Sequence, residues 1–338
     1  MPRIKKPSAV FLGRLQRETI ITQQGVARVD QPGGELLYAA GAYRYWGKSP
    51  GLVARLGSDF PKEWVHLLED EGYRTEGIRF LDEPFDLRSF FAYRDIHAAH
   101  RDHPIKHFAQ LNLPFPKSLL GYKNSGVQLD AKKSRTPLTL RPEDLPKGFS
   151  SLRCAHLCPL DYLSHSLVPP ALRAAGAEFV SLEAGSGYMH PNFWNEFPAL
   201  VNGLSVFFCD EGLLRSLFAG HSQDLWEMAE WVGSFNCQAI VILNALLGQW
   251  IYLSEKKNRY RVPAYPARLT DPTHAHSSFC GGFLSGWEKS GDILHAALTG
   301  NATASIAIEG SGPFYIQDSL PKLAESRLES LRQAVQIV

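Results

Sequence analysis

The chain has 338 residues, of which 44% are hydrophobic and 20% are charged, and its formal net charge at pH 7 is +1. These values are ordinary for a soluble globular protein, and so small a net charge gives no electrostatic basis for binding nucleic acid or an anionic membrane. Its apolar runs are shorter than the ~18 residues of a membrane span, and the one after the basic N-terminus is too short for a secretion signal. We therefore expect a cytoplasmic protein, in which five scattered cysteines are buried free thiols.

Strand-like and helix-like segments alternate in the first part of the chain. Residues 8–13 have the pattern of a short buried strand, and a Pro-Gly-Gly turn leads into a helix from about 35 to 46. A second strand begins at Leu52, and a helix over 60–71 ends at Gly72. This alternation predicts βα units and a mostly parallel sheet.

The pattern changes after this part of the chain. Two β-like runs, 78–81 and 87–93, flank a turn, and the segment from about 95 to 150 is irregular and rich in proline. So long a connection is usually functional or lies over the surface. It carries four histidines at helix-like spacing, which we interpret as a face exposed to solvent or to a partner, because spacing alone does not supply the converging geometry of a metal site: His97, His100, His103 and His107.

The second half of the chain returns to alternating elements. Strands are expected at 154–159, 178–182, 204–209 and 239–243, helices at about 168–175, from 213 and at 225–232, and a hairpin between 250–253 and 259–262.

The segment from Asp271 to Leu284 combines a polar, turn-forming start with an apolar run. Ser277 and Ser278 precede the apolar residues, which predicts a helix N-terminus with hydroxyl caps. Gly281 and Gly282 inside this helix cost roughly 1 kcal/mol each relative to alanine, so we expect another element to pack closely there. The unpaired amides of such a helix start suit an anion.

This segment resembles the second signature of the PfkB (ribokinase-like) carbohydrate kinases. The matching residues are Asp271-Pro-Thr, Ala275, Phe279 and Gly281-Gly282-Phe283. In that family the middle of the signature reads Gly-Ala-Gly-Asp, where the glycine amides hold the transferred phosphate and the aspartate is the catalytic base. Here it reads His274-Ala275-His276-Ser277, so the frame is present and the catalytic residues differ.

The resemblance implies a single α/β domain over residues 1–338, with a central mostly parallel sheet, helices on both faces and a small β lid. It places lid strands within about 14–32 and 75–95, and an irregular, proline-rich insertion at about 95–150. It also implies a sugar-like or nucleoside-like ligand beneath the lid, ATP and Mg²⁺ as cofactors, and a homodimer formed through the lid.

On the substrate side, Gly33 and Gly34 match the Gly-Gly turn of the family, and Glu18 stands where the family usually has an aspartate. Tyr38 lies in the region where family members commonly carry an asparagine for sugar hydroxyls. We interpret Tyr38 either as a pocket residue or as a core aromatic residue.

On the cofactor side, the family's Asn-x-x-Glu motif for Mg²⁺ and phosphate corresponds to the segment from Asp210 to Leu213, so its glutamate is lost unless Glu211 replaces it. The nucleotide turn keeps only Gly248. Asp271 either serves the cofactor side or is a turn residue whose carboxylate binds the backbone before the helix.

Four features of the family pattern are thus altered together: the catalytic base, the phosphate-binding glycines, the metal ligand and the nucleotide turn. General-base catalysis contributes about 10²–10⁴-fold and an anion hole a comparable factor, so little transfer should remain. The first hypothesis is a pseudokinase, which keeps the fold and binds a small molecule or a protein but uses ATP and Mg²⁺ poorly. The alternatives are an active sugar or nucleoside kinase with displaced catalytic residues (Asp271, His276 or Glu211) and an enzyme of altered chemistry that uses His274 and His276.

Four roles are open for His274, His276 and Ser277. They fill an unused cleft, bind an anion together with the helix amides, bind a metal with His295 or Asp271, or act as a serine nucleophile activated by histidine. The sequence assigns no metal site, since spacing does not establish the geometry that one requires.

Overall fold

A computed structural model describes residues 9–94, 98–124, 126, 128–149, 152–244, 247–320 and 322–338. The strands in this part of the chain are β1 (Ala9–Leu12), β2 (Gln16–Ile21), β3 (Ala27–Gly33), β4 (Gly51–Leu56), β5 (Arg74–Phe80), β6 (Arg88–Tyr93), β7 (Ala99–His100), β8 (Cys154–Leu157), β9 (Phe179–Glu183), β10 (Val206–Asp210), β11 (Ala239–Asn244), β12 (Gly248–Leu253), β13 (Asn258–Val262) and β14 (Gln336–Ile337). The helices are α1 (Glu35–Arg44), α2 (Lys62–Asp70), α3 (Pro104–Gln110), α4 (Tyr162–Ala174), α5 (Phe197–Val201), α6 (Glu211–Leu217), α7 (Leu225–Gly233), α8 (Ala275–Ser290), α9 (Ile293–Ala307) and α10 (Leu323–Gln333).

The centre of the fold is a ten-stranded sheet in the order β14-β13-β12-β11-β10-β9-β8-β1-β4-β5. The seven neighbouring strands β11, β10, β9, β8, β1, β4 and β5 run parallel, and β12, β13 and β14 add an antiparallel edge. Side chains alternate between two cores, so that on β10 Phe208 packs with Phe279 and Phe283 of α8, whereas Phe207 packs on the opposite face. The predicted α/β fold with a mostly parallel central sheet is confirmed.

A second sheet, in the order β3-β2-β6-β7, has the place of the predicted lid. Phe90, Phe108 and Leu119 pack on one of its faces, and Ile20 and Phe91 pack on the other. Within the predicted lid range of 75–95, only β6 belongs to this sheet.

The first half of that range requires a correction. Residues Arg74–Phe80 form β5, which pairs in parallel with β4 at the edge of the central sheet, with Val53 opposite Gly77. The physical reason is the β4-α2-β5 connection, in which a helical crossover returns the chain alongside the strand that it left.

The proline-rich insertion is anchored to the central sheet by Asp144. This fully buried carboxylate accepts two hydrogen bonds from Arg55 of β4, at 2.8 and 3.0 Å, and a third from the Arg141 amide at 2.9 Å.

The insertion also contains the predicted histidine face. His97 lies outside the described residues. His100 and His103 are exposed, but His107 is buried against the Phe90 ring, so the prediction of a solvent-facing or partner-facing row is wrong for His107. His107 is buried because it lies on the face of α3 that is directed at the lid.

The packing of α8 follows from its two central glycines. A Cβ at Gly281 would overlap the Ala39 carbonyl oxygen of α1, and a Cβ at Gly282 would overlap Thr303 of α9. The predicted close packing is therefore confirmed on both sides of the helix.

Two helix starts differ from their predictions. The residue that precedes α8 is His274, in the left-handed conformation (φ 53°) and without a side-chain cap, so Ser277 and Ser278 lie inside the first turn and do not cap it. Helix α4 begins earlier than predicted because Asp161 accepts a hydrogen bond from the Ser164 amide and caps it.

All five cysteines are buried free thiols, as predicted. Across the described ranges, every helix is too short or too polar to cross a membrane.

Candidate functional site

The candidate site lies where α8 begins, at the carboxyl ends of the parallel strands and next to the lid. The lid contributes Glu18, the turn before α1 contributes Gly34, and strand β9 contributes Glu183. This edge of an open parallel sheet is where ligands commonly bind, because the strand ends and the helix starts meet there.

Glu18 and His274 form a buried ion pair between the lid and α8. His274 Nε2 lies 2.7 Å from Glu18 Oε1, and the side chains are 8% and 1% exposed. The Gly34 amide donates to the same carboxylate oxygen at 2.8 Å, and a Cβ at Gly33 would overlap the Glu18 carboxyl group. The Gly-Gly turn is therefore required here for the close approach of Glu18.

The electrostatic surroundings keep His274 charged. Burial alone would lower its pKa, but the carboxylates of Glu18 and Glu35 more than offset this effect and raise the pKa of His274 to about 9. The Glu35 carboxylate lies 3.8 Å from His274 Nδ1. At pH 7 the ring is therefore an imidazolium.

Aromatic side chains enclose the same ring. The Tyr38 and Phe91 ring centroids lie 4.9 and 5.5 Å from that of His274. The Tyr38 hydroxyl is buried without a hydrogen-bond partner among the described residues, and burial raises its pKa well above the usual range. Tyr38 is thus a buried aromatic residue packed against His274, and its role as a pocket residue stays a prediction.

The catalytic-base position is connected to a carboxyl group on a different element. Ser277 Oγ donates to Glu183 Oε2 at 2.8 Å, and both residues are buried. Burial raises the pKa of Glu183 to about 8. Glu183 was not predicted from the sequence, although an acidic residue at the end of a buried parallel strand is a signal for such a role.

The two signature histidines point apart. His276 Nδ1 lies 3.9 Å from Asp210 Oδ2, on the side away from Glu18, and burial lowers its pKa. His295 lies at the start of α9, where its ring faces Arg332. The structure therefore does not bring His274, His276 and His295 together as a metal site.

The predicted cofactor-side acids already have partners. Asp210 Oδ1 caps α6 by accepting from the Gly212 and Leu213 amides, at 2.7 and 3.3 Å. Glu211 accepts from Asn244 and from Arg215, each at 2.8 Å.

Asp271 and Gly248 have local structural roles. Asp271 Oδ1 accepts from the Thr273 amide at 2.9 Å, and the Ser311 hydroxyl donates to its other oxygen, which supports the turn-residue interpretation. Gly248 begins β12 with a positive φ of 97°, where a Cβ would overlap the Val262 carbonyl oxygen.

Comparison with known proteins finds similarity to carbohydrate and nucleoside kinases. The family model described as "pfkB family carbohydrate kinase" matches residues 217–319. A cytidine kinase of Thermococcus kodakarensis is 20% identical over 288 residues, which cover 83% of this chain and 88% of that protein. A nucleoside kinase of Methanocaldococcus jannaschii is 37% identical over 98 residues, 28% of this chain and 30% of its own length.

Solved structures agree over almost the whole chain. A fructokinase from Xylella fastidiosa with bound ATP has a TM-score of 0.67 at 15% identity, and covers 96% of this chain and 99% of its own. The M. jannaschii nucleoside kinase, titled an archaeal member of the ribokinase family, has a TM-score of 0.64 at 17% identity with the same coverage. Residues 217–319 thus match the family model of the PfkB carbohydrate kinases, and the chain has the fold of the ribokinase-like proteins.

Proposed function

We propose that this protein has lost efficient ATP-dependent phosphotransfer and acts by binding a small molecule or a protein partner. The observation that carries the proposal is the buried pair of His274 and Glu18, 2.7 Å apart. Its imidazolium would occupy the side of the lid to which the family resemblance assigns the substrate. The carboxylate that the family resemblance assigns to the substrate is already neutralised and hydrogen-bonded.

The base position supports the same proposal. A serine hydroxyl cannot accept a proton at neutral pH as a carboxylate does, and Ser277 uses its own proton to bind Glu183. Because burial holds the pKa of Glu183 at about 8, its carboxyl group is mainly protonated at pH 7. It is therefore a poor proton acceptor under ordinary conditions.

The residues near the cofactor side do not fit the Mg²⁺ and ATP site that the family resemblance implies. Asp210 caps a helix, and Glu211 is held by two side chains. A metal would have to displace the two side chains that hold Glu211, and Asp210 would offer it only Oδ2, the oxygen that does not cap the helix. We therefore expect at most weak binding of Mg-ATP.

Calorimetry tests this proposal with a matched pair of proteins. Unmodified protein should show no saturable heat with Mg-ATP or with nucleosides such as cytidine and inosine. His274→Gly suits the left-handed position and removes the ring, so nucleoside binding by this variant alone would show that His274 blocks a retained pocket. Saturable Mg-ATP binding with phosphate transfer by the unmodified protein would overturn the proposal.

The second candidate is an active nucleoside or sugar kinase with a displaced base. It is favoured by one observation, the Glu183 carboxyl group 2.8 Å from Ser277, and by relatives that are named as nucleoside kinases. Activity would then rise as the pH increases through about 8, where Glu183 ionises. Glu183→Gln would abolish it, whereas Glu178→Gln, an exposed position just before the same strand, would not.

A homodimer formed through the lid stays a prediction of the family resemblance. Insertion residues Phe108 and Leu119 already cover one face of the lid. Light scattering of the full chain gives the oligomeric state directly, and a monomer would refute this prediction.

A further inference from the structure

A buried cluster of three metal-binding residue types lies between the central sheet and α8. His156 of β8, Glu183 of β9 and Cys280 of α8 each direct one nitrogen, oxygen or sulfur atom into it, and these atoms lie within 4.8 Å of one another. The three residues are 0%, 7% and 1% exposed. They come from three separate elements, so the tertiary fold assembles the cluster.

The hydrogen bonds around His156 determine which ring nitrogen is free. Ser181 Oγ donates to the Ala155 carbonyl oxygen at 3.4 Å, and the same hydroxyl lies 3.0 Å from His156 Nδ1. Because the Ser181 hydroxyl directs its proton at the Ala155 carbonyl oxygen, its own oxygen accepts a hydrogen bond from His156 Nδ1–H. This tautomer leaves a lone pair on His156 Nε2. That nitrogen is buried and has no hydrogen-bond partner within the described part of the chain, an unfavourable state for a polar atom.

We propose that His156 Nε2, the Glu183 carboxylate and the Cys280 thiolate bind a divalent transition metal ion of the zinc type. Nitrogen, oxygen and sulfur donors are the set that Zn²⁺ accepts, with three protein ligands and a further position open. One carboxylate and one thiolate carry two negative charges, which balance the ion in a buried environment. Binding releases to solvent the thiol proton of Cys280 and any proton held by Glu183.

Two neighbouring hydroxyl groups act as outer partners of this site. Ser181 orients His156 through Nδ1, and Ser277 donates to Glu183. Such partners commonly fix the ring and the carboxylate of metal ligands. Zinc bonds of about 2.0–2.3 Å place tetrahedral donors about 3.5 Å apart, so small side-chain rotations close the present set onto an ion. Metal binding by these three residues does not depend on whether phosphotransfer is lost.

The test begins with unmodified protein. After removal of metals with a chelator and addition of Zn²⁺, we expect one equivalent per chain by elemental analysis and a raised Tm. Replacement by Co²⁺ should give a thiolate-to-cobalt charge-transfer band in the near ultraviolet. Folded protein that binds less than half an equivalent, or gives no such band, would overturn the proposal without any variant.

Variants then assign the ligands. Cys280→Ser should remove the charge-transfer band, and His156→Gln should weaken Zn²⁺ binding at least tenfold. The matched control is Cys237→Ser, a buried cysteine outside the cluster, which should keep the band and the stoichiometry. Circular dichroism identifies folded variants. A band that survives Cys280→Ser, or that is lost with Cys237→Ser, would refute the assignment.

Discussion

Replacing His274 with asparagine removes the buried cation of the candidate site with little effect on the backbone. Asparagine tolerates the left-handed conformation that His274 adopts at φ 53°. The change leaves the Glu18 carboxylate buried without its partner at 2.7 Å. We therefore expect a loss of stability that depends on pH.

The magnitude follows from the pKa of His274. Its pKa is about 9 in the folded protein and about 6.5 in an unfolded chain, a difference that corresponds to about 3 kcal/mol of unfolding free energy. Because the folded pKa is the higher one, this stabilisation is fully present below about pH 6.5 and is lost as the pH rises through about 9.

Urea unfolding at about pH 6 and about pH 10 measures the effect. The unfolding free energy of the unmodified protein should be higher than that of His274→Asn, and this difference should be about 3 kcal/mol larger at the lower pH than at the higher. Glu18→Gln removes the other member of the ion pair. The double variant should show no pH-dependent loss of unfolding free energy beyond that of His274→Asn alone. If the unmodified protein and His274→Asn differ equally at both pH values, the ion pair does not hold His274 charged and the reasoning is refuted.

Two further predictions concern the signature and the insertion. The combined changes His274→Gly, His276→Gly and Ser277→Asp should still give only weak phosphotransfer in a coupled ATP assay, because the nucleotide-side motifs remain altered; robust turnover would show that the rest of the machinery is intact. Asp144→Ala should lower the unfolding free energy by about 3–5 kcal/mol, since it leaves the Arg55 side chain, which is only 10% exposed, without its carboxylate partner. The exposed control Asp102→Ala should stay within about 0.5 kcal/mol, and an equal loss in both variants would contradict the anchoring role.

Local patterns in the sequence predicted the alternating elements of the central sheet. Alternating apolar runs and helix stops predicted the βα units, because burial on both sheet faces selects continuous apolar strands. Gly281 and Gly282 predicted close packing, since a helix keeps glycine at such a cost only where space is short. Strand β5 was assigned to the wrong sheet, because strand pairing depends on distant residues.

The partners at the site could not be predicted for the same reason. Sequence spacing placed His274 and His276 side by side, yet the first turn of α8 directs one ring to Glu18 and the other to Asp210. Glu183 comes from a strand about 90 residues earlier, so its contact with Ser277 exists only in the folded chain.

The most direct measurement of the central claim is ATP-dependent phosphorylation by the unmodified protein. A panel of nucleosides and sugars, including cytidine, inosine and fructose, would be incubated with Mg-ATP and followed by direct detection of phosphorylated product. The buried pair of His274 and Glu18, and Ser277 at the position of the family's aspartate, predict product at the level of the enzyme-free control. Turnover at about 1 per second or faster, the ordinary range for kinases, would contradict it.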